Sequence, residues 1–183
     1  EALTRIGQAT YRFGAANEGL DRWIHDAPAD PQPWRIRLDI DERTQVEDEL
    51  VIAHANELLR RAPDDLQGLR ALADASLRLR RTNDAATAYR AYREKSPNDP
   101  FGHFGLGQTA LESGDPVAAR RSFETALKLD PKSTPALKAL ANLESRSGHP
   151  ARAIELLRTA AQLDPEDFET RYALALVLQR AGQ

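Results

Sequence analysis

The sequence predicts an all-α fold, an array of antiparallel helix pairs stacked side by side. Three observations carry that prediction. Prolines recur at a fixed interval, with Pro63, Pro97, Pro131 and Pro165 each 34 residues from the next. Small and large apolar residues recur in the same phase between them. Within each interval the apolar positions follow a 3.6-residue period broken by turn signals, as helices do and alternating strands do not.

Composition sets the outer bounds. The chain has 183 residues, 41% hydrophobic and 29% charged, as in a folded chain rather than a disordered one. No apolar run has the eighteen or so residues that span a bilayer. The absence of cysteine excludes disulfides, thiol catalysis and cysteine-type zinc sites. It suits an oxidising compartment, a lean toward a bacterial periplasm or cell envelope that leaves the cytoplasm open. The net charge of −3 gives no bulk drive toward nucleic acid. A start at Glu1 and a lack of methionine read as a segment excised from something longer.

The elements follow in order. Ile6-Gly7, Gly14, Ala15-Ala16, Leu20, Trp23 and Ile24 make a first helix pair closed by Pro28 or Pro31. Pro28 is favoured, because closure at Pro31 would place Pro28 inside the last helical turn, and PADPQP (28–33) is then a rigid connector. Next comes WRIRLDIDER. Trp34, Ile36, Leu38 and Ile40 alternate with charged residues as a half-buried strand would. No other segment alternates this way, so a strand here would leave its backbone donors unpaired. On a helix, Trp34 and Leu38 share one side and Ile36 and Ile40 the other. It therefore reads as the first helix of a degenerate unit, with Asp39 implying looser packing. Thr44 to Glu47 reads as a capping box that opens the helix carrying Leu50, Val51, Ala55, Leu58 and Leu59.

From Pro63 onward the units are regular. Leu72-Ala73, Ala85 and Tyr89 precede Pro97; Leu106-Gly107, Ala119 and Phe123 precede Pro131; Leu140-Ala141, Ala153 and Leu157 precede Pro165. Asp99-Pro100, Asp115-Pro116, Thr134-Pro135 and His149-Pro150 place proline at helix starts, with Asp99 and Thr134 as N-caps. Phe168 to Gln183 is one more first helix, whose apolar side (Leu174, Val177, Leu178) expects a cover. The units run at about 1–31, 32–65, 66–99, 100–133 and 134–167, with a half unit at 168–183.

This spacing resembles the tetratricopeptide repeat, whose pattern runs W-x₂-L-G-x₂-Y, A-x₃-F, then P, over about 34 residues. His103 and Leu137 take the place of its Trp, Ala110 and Glu144 that of its Tyr. The resemblance implies a right-handed α-solenoid and a concave groove lined by the first helix of each unit. In such proteins the groove binds an extended peptide or a partner's helix.

Catalytic and metal chemistry find no support. His25, His54, His103 and His149 are never three or four residues apart, and no cysteine accompanies them. They read as surface or packing histidines. FGHFGLGQ is neither GxGxxG nor a P-loop. Gly107 has a packing role, while Gly102 and Gly105 loosen the helix or admit a ligand. The carboxylate groups Asp39/Asp41, Glu47/Asp48/Glu49 and Asp64/Asp65 read as solvated faces and caps. No enzyme activity and no cofactor are expected.

Carried residue by residue, the resemblance places Ile36, Ile40 and Arg43 toward the groove, then Arg70, Asp74, Leu77 and Arg78. The next units offer Phe101, Phe104, Gln108 and Leu111, then Lys138, Asn142, Ser145 and Arg146, and last Tyr172, Leu176 and Arg180. Phe101 and Phe104 are either groove anchors or packing residues; the sequence admits both. As anchors ringed by arginines, they would suit a protein or peptide partner with apolar anchors and acidic flanks. Lys138 and Asn142 resemble half of the family's carboxylate clamp. The following unit offers Ala173 and Leu176 where the clamp needs polar groups, so chaperone-tail binding is not expected. Two functions stay open. One is a non-catalytic interaction scaffold. The other is a structural segment of a bacterial cell-envelope or exopolysaccharide-export assembly, which spaces domains or self-associates through exposed ends. Neither involves nucleic acid or membrane insertion by this segment.

Overall fold

The structure, a computed structural model, describes residue 14 and residues 17–182. Among them are helices and no strand. Helix α1 is described over 17–26. It is followed by α2 (Gln32–Thr44), α3 (Asp48–Arg61), α4 (Leu66–Arg78), α5 (Thr82–Lys95) and α6 (Pro100–Glu112). Then come α7 (Pro116–Leu129), α8 (Thr134–Arg146), α9 (Pro150–Leu163) and α10 (Phe168–Arg180). This is the all-α helical repeat of the solenoid class. The chain forms two compact units, Glu1–Asp84 and Ala85–Gln183, and the boundary falls in the first turn of α5. Ile6, Gly7, Ala15 and Ala16 of the expected first pair lie outside the described residues; Gly14 is helical.

The alternating stretch is a helix. In α2, Trp34 and Leu38 are buried and join Ala55 and Leu58 of α3 in the core of the first unit, with Ile24, Val51 and Leu72 against them. Ile36, two residues from each, is 40% exposed. Asp39 costs this packing nothing, because it points to the surface and accepts a hydrogen bond from Gln67 Nε2 at 2.7 Å. The Trp34 ring also lies under two guanidiniums, Arg37 and Arg61, at 5.6 and 5.1 Å from its centroid.

In the second unit the small residues named above have a physical role. Ala119, Ala141 and Ala153 are fully buried, and their size lets neighbouring helices approach. Phe123 and Leu140 fill one core with Leu143, and Ile154, Leu157 and Val177 fill the next. Leu174 and Leu178 pack against that second core, so the apolar side of α10 is covered by α8 and α9. The aromatics left exposed on α10 are instead Phe168 and Tyr172, stacked with centroids 6.2 Å apart.

Three helix boundaries differ from the reading of the sequence. Thr44 ends α2, donating its hydroxyl to the Ile40 carbonyl at 2.8 Å, and Glu47 precedes α3 without a side-chain cap. The chain turns at Gln45, in the left-handed region at φ 52°, so the capping-box residues span a helix end and cannot close one box. Ser133, not Thr134, is the residue before α8. Pro33 lies within the first turn of α2 and is buried, which shortens the connector. By contrast Asp65, Asp99, Asp115 and Asp167 cap their helices through side-chain oxygens.

The turns within the pairs repeat a left-handed residue at the 34-residue interval. Arg80, Gly114, Gly148 and Gly182 have φ of 57°, 77°, 82° and 71°. Glycine has no Cβ to clash there; Arg80 does.

Candidate functional site

Each unit carries a cleft on the face of its first helices. In the second unit, α8 supplies Lys138, Asn142, Ser145 and Arg146, and α10 supplies Leu176 and Arg180. Together with Ala139, Ala173 and Val177 they line a cleft of about 370 Å³. A helical period of 3.6 puts 138, 142 and 145–146 on one face of α8, and 173, 176 and 180 on one face of α10.

Lys138 is already engaged. Its Nζ donates to Asp167 Oδ2 at 3.0 Å and to Glu169 Oε2 at 2.6 Å. Those bonds raise its pKa above the ordinary lysine value, with Glu169 the larger cause and Asp167 the second. Asp167 is pulled down to about 2, first by the Thr170 hydroxyl and then by Lys138. The half-clamp is therefore neutralised by carboxylates of the next helix. Arg146 and Arg180 have no carboxylate partner among the described residues, which moves the cationic part of the cleft to the C-terminal ends of α8 and α10.

The first unit gathers Arg70, Asp74 and Arg78 of α4 into a cleft of about 470 Å³ with the end of α2 and the start of α3. Arg78 donates to Asp48 Oδ1 from Nε at 2.7 Å and Nη2 at 2.6 Å. Ile40 lines a separate cavity of about 550 Å³ beside His54 and Leu50. Ile36, Arg43, Leu77, Gln108, Leu111 and Tyr172 line neither cleft.

Phe101 and Phe104 are half-buried. Phe101 meets the Tyr92 ring edge-on at 4.8 Å and Tyr89 at 5.6 Å, and Phe104 meets Phe123 at 5.8 Å. Both contribute to packing between helices. The glycines beside them serve that packing too. A Cβ on Gly105 would stand 2.1 Å from the Tyr89 ring, and one on Gly107 2.4 Å from Phe123.

Two polar clusters have no signature in the sequence. Asp41, expected on a solvated face, and His54, expected at the surface or in packing, form a largely buried pair across α2 and α3, with Nδ1 and Oδ2 2.6 Å apart. Glu144, where the repeat pattern has tyrosine, is buried between Arg120 and His149. Glu144 and His149 stand five residues apart across a turn, a spacing that carries no pattern of its own in the sequence. Among the described residues no three histidine, aspartate or glutamate side chains gather as a metal ion would require. No helix among them is long and apolar enough to cross a membrane.

Comparison with known proteins follows the same lines. Three sequence models of the tetratricopeptide repeat match residues 52–100, 100–133 and 134–177. No curated protein sequence matches. Among solved structures, the thermophilic TPR protein TTC0263 of Thermus thermophilus aligns over 96% of this chain and 96% of its own, at 22% identity and a TM-score of 0.69. YrrB, described as a TPR protein with an unusual peptide-binding site, aligns over 89% of this chain and 84% of its own, at 13% identity and a TM-score of 0.69. The first TPR of Spaghetti (RPAP3), bound to the HSP90 peptide SRMEEVD, aligns over 64% of this chain and 94% of its own, at 14% identity and a TM-score of 0.61. At these identities the likeness is one of fold.

Proposed function

The chain belongs to the tetratricopeptide repeat family, whose members serve as protein-interaction scaffolds, and from that premise we propose that it binds an extended peptide or a partner's helix in the cleft between α8 and α10. One observation carries the reading: Lys138, Asn142, Ser145, Arg146, Leu176 and Arg180, each expected to face a groove, line one cleft. Its floor of Ala139, Ala173, Leu176 and Val177 suits an apolar anchor. Arg146 and Arg180 suit an acidic flank. The role is that of a scaffold without chemistry of its own.

The test is selection of a random displayed peptide library on the chain, followed by fluorescence anisotropy of the enriched peptides. The expected consensus is an apolar residue beside aspartate or glutamate. Arg146→Glu with Arg180→Glu should weaken it at least tenfold. Affinity unchanged in that double variant overturns the reading.

A second reading, self-association, draws on Phe168 and Tyr172, 72% and 56% exposed on α10. Sedimentation over a concentration range, repeated with Phe168→Ser and Tyr172→Ser, decides it: a monomer at all concentrations ends it.

A further inference from the structure

We propose that the cleft of the first unit is a second peptide site of opposite charge preference, which takes a segment bearing lysine or arginine side chains. The proposal rests on the reading that first-helix faces of this chain bind peptides, and it concerns a different set of residues.

The cleft has an apolar floor of Leu38, Val51 and Ala71. Its charged lining is Asp41, Glu42, Asp48 and Asp74 against Arg70 and Arg78, with Asp41 already bonded to His54. Both guanidiniums are held from within. Arg78 sits on Asp48 through two nitrogens, and Arg70 Nε lies 3.9 Å from Asp74. An anionic ligand would have to break those pairs. A cationic one can be met by Glu42 with both pairs intact.

Two further features favour a cation. Glu42 is exposed and has no ion-pair partner among the described residues. Helix α2 also ends at this cleft, since Glu42 and Gln45 both line it, and a helix C-terminus carries partial negative charge on its unpaired carbonyls. A lysine or arginine can lay its methylene stem on Leu38, Val51 and Ala71 while its head meets Glu42, with Asp74 adding to the negative field beside it. The cleft of the second unit has the opposite balance, with Lys138, Arg146 and Arg180 against Glu169. The two clefts are thus built to prefer different sequences.

The experiment uses two fluorescein-labelled nonapeptides on the full chain, each with two leucines, one set flanked by lysines and the other by aspartates. Anisotropy should show both binding. Glu42→Lys with Asp74→Asn should weaken the lysine peptide at least tenfold and leave the aspartate peptide within twofold. Arg146→Glu with Arg180→Glu should do the reverse. Glu42→Lys alone, at an exposed position, should give a smaller loss in the same direction without any effect on folding. Binding of the aspartate peptide alone overturns this inference and leaves the proposed function standing. Lysine-peptide binding that ignores the Glu42 and Asp74 changes overturns it as well. If neither peptide binds, both readings fall.

Discussion

Arg120 Nε lies 2.7 Å from Glu144 Oε1, and its Nη2 lies 3.4 Å from Oε2, so one guanidinium of α7 grips a buried carboxylate of α8. His149, before α9, closes the other side with Nδ1 2.8 Å from Oε2. Three helices meet at one charge. Burial pushes the Glu144 carboxyl up, but the bonds from Arg120 and His149 and their charge outweigh it and hold it below the ordinary value.

Removing one partner of such a group leaves a buried charge poorly paired. Arg120→Ala should cost about 3 kcal/mol in urea unfolding, the low end for a broken buried pair because His149 remains. Arg120→Leu combined with Glu144→Leu should lose far less, since the desolvation cost disappears with the charges. A double variant no more stable than the single would refute the account.

Asp167 gives the pH dependence. Its carboxyl titrates near 3.8 when unperturbed and at about 2 in the fold. Between those values the unfolded chain binds more protons, so the contribution is complete above 3.8 and is lost as pH falls through about 2. Lys138→Met removes the second cause and leaves the Thr170 hydroxyl. The NMR titration of the Asp167 carboxyl carbon should then move up part of the way toward 3.8. An unmoved midpoint would show that Lys138 plays no part.

Gly105 and Gly107 should resist substitution. Alanine in place of glycine ordinarily favours a helix by about 1 kcal/mol. Here its Cβ would enter the Tyr89 and Phe123 rings, and overpacking typically costs about 1–3 kcal/mol. Both Gly105→Ala and Gly107→Ala should lower the thermal midpoint. Tyr89→Leu should recover part of the loss at Gly105, and no recovery would point to a different cause.

Arg80 is the converse case. It occupies the turn position that glycine holds at 114, 148 and 182, with φ 57°. Arg80→Gly should stabilise the chain by about 1 kcal/mol by relieving the Cβ clash of the left-handed conformation. A destabilised variant would mean that contacts of the arginine side chain outweigh that clash.

The prolines and small residues made the helix order legible, because each acts locally: Pro100, Pro116 and Pro150 start helices whatever surrounds them. WRIRLDIDER was also legible, once its unpaired donors ruled against a strand. Contacts that join distant residues were not. Nothing near Asp41 names His54, thirteen residues on, and nothing near Glu144 names Arg120. The same limit governs the site. The family resemblance places Lys138 toward a groove, but only the fold brings Asp167 and Glu169 onto it. Phe101 and Phe104 stood undecided for the same reason, since their partners Tyr92 and Phe123 lie on other helices.

The caps have a consequence for how such a chain can grow. Arg35 Nε donates to Asp65 at 2.6 Å just as Lys138 donates to Asp167, and in both cases the acceptor caps the helix that follows. The segments 32–65 and 134–167 each contain both halves of that fastening. Copied in tandem, either one would bring a ready joint for its successor, so the array could lengthen by duplication without a new interface. Segment 66–99 ends on Asp99, tied to its own Tyr92, and segment 100–133 ends on Ser133, which makes no side-chain cap.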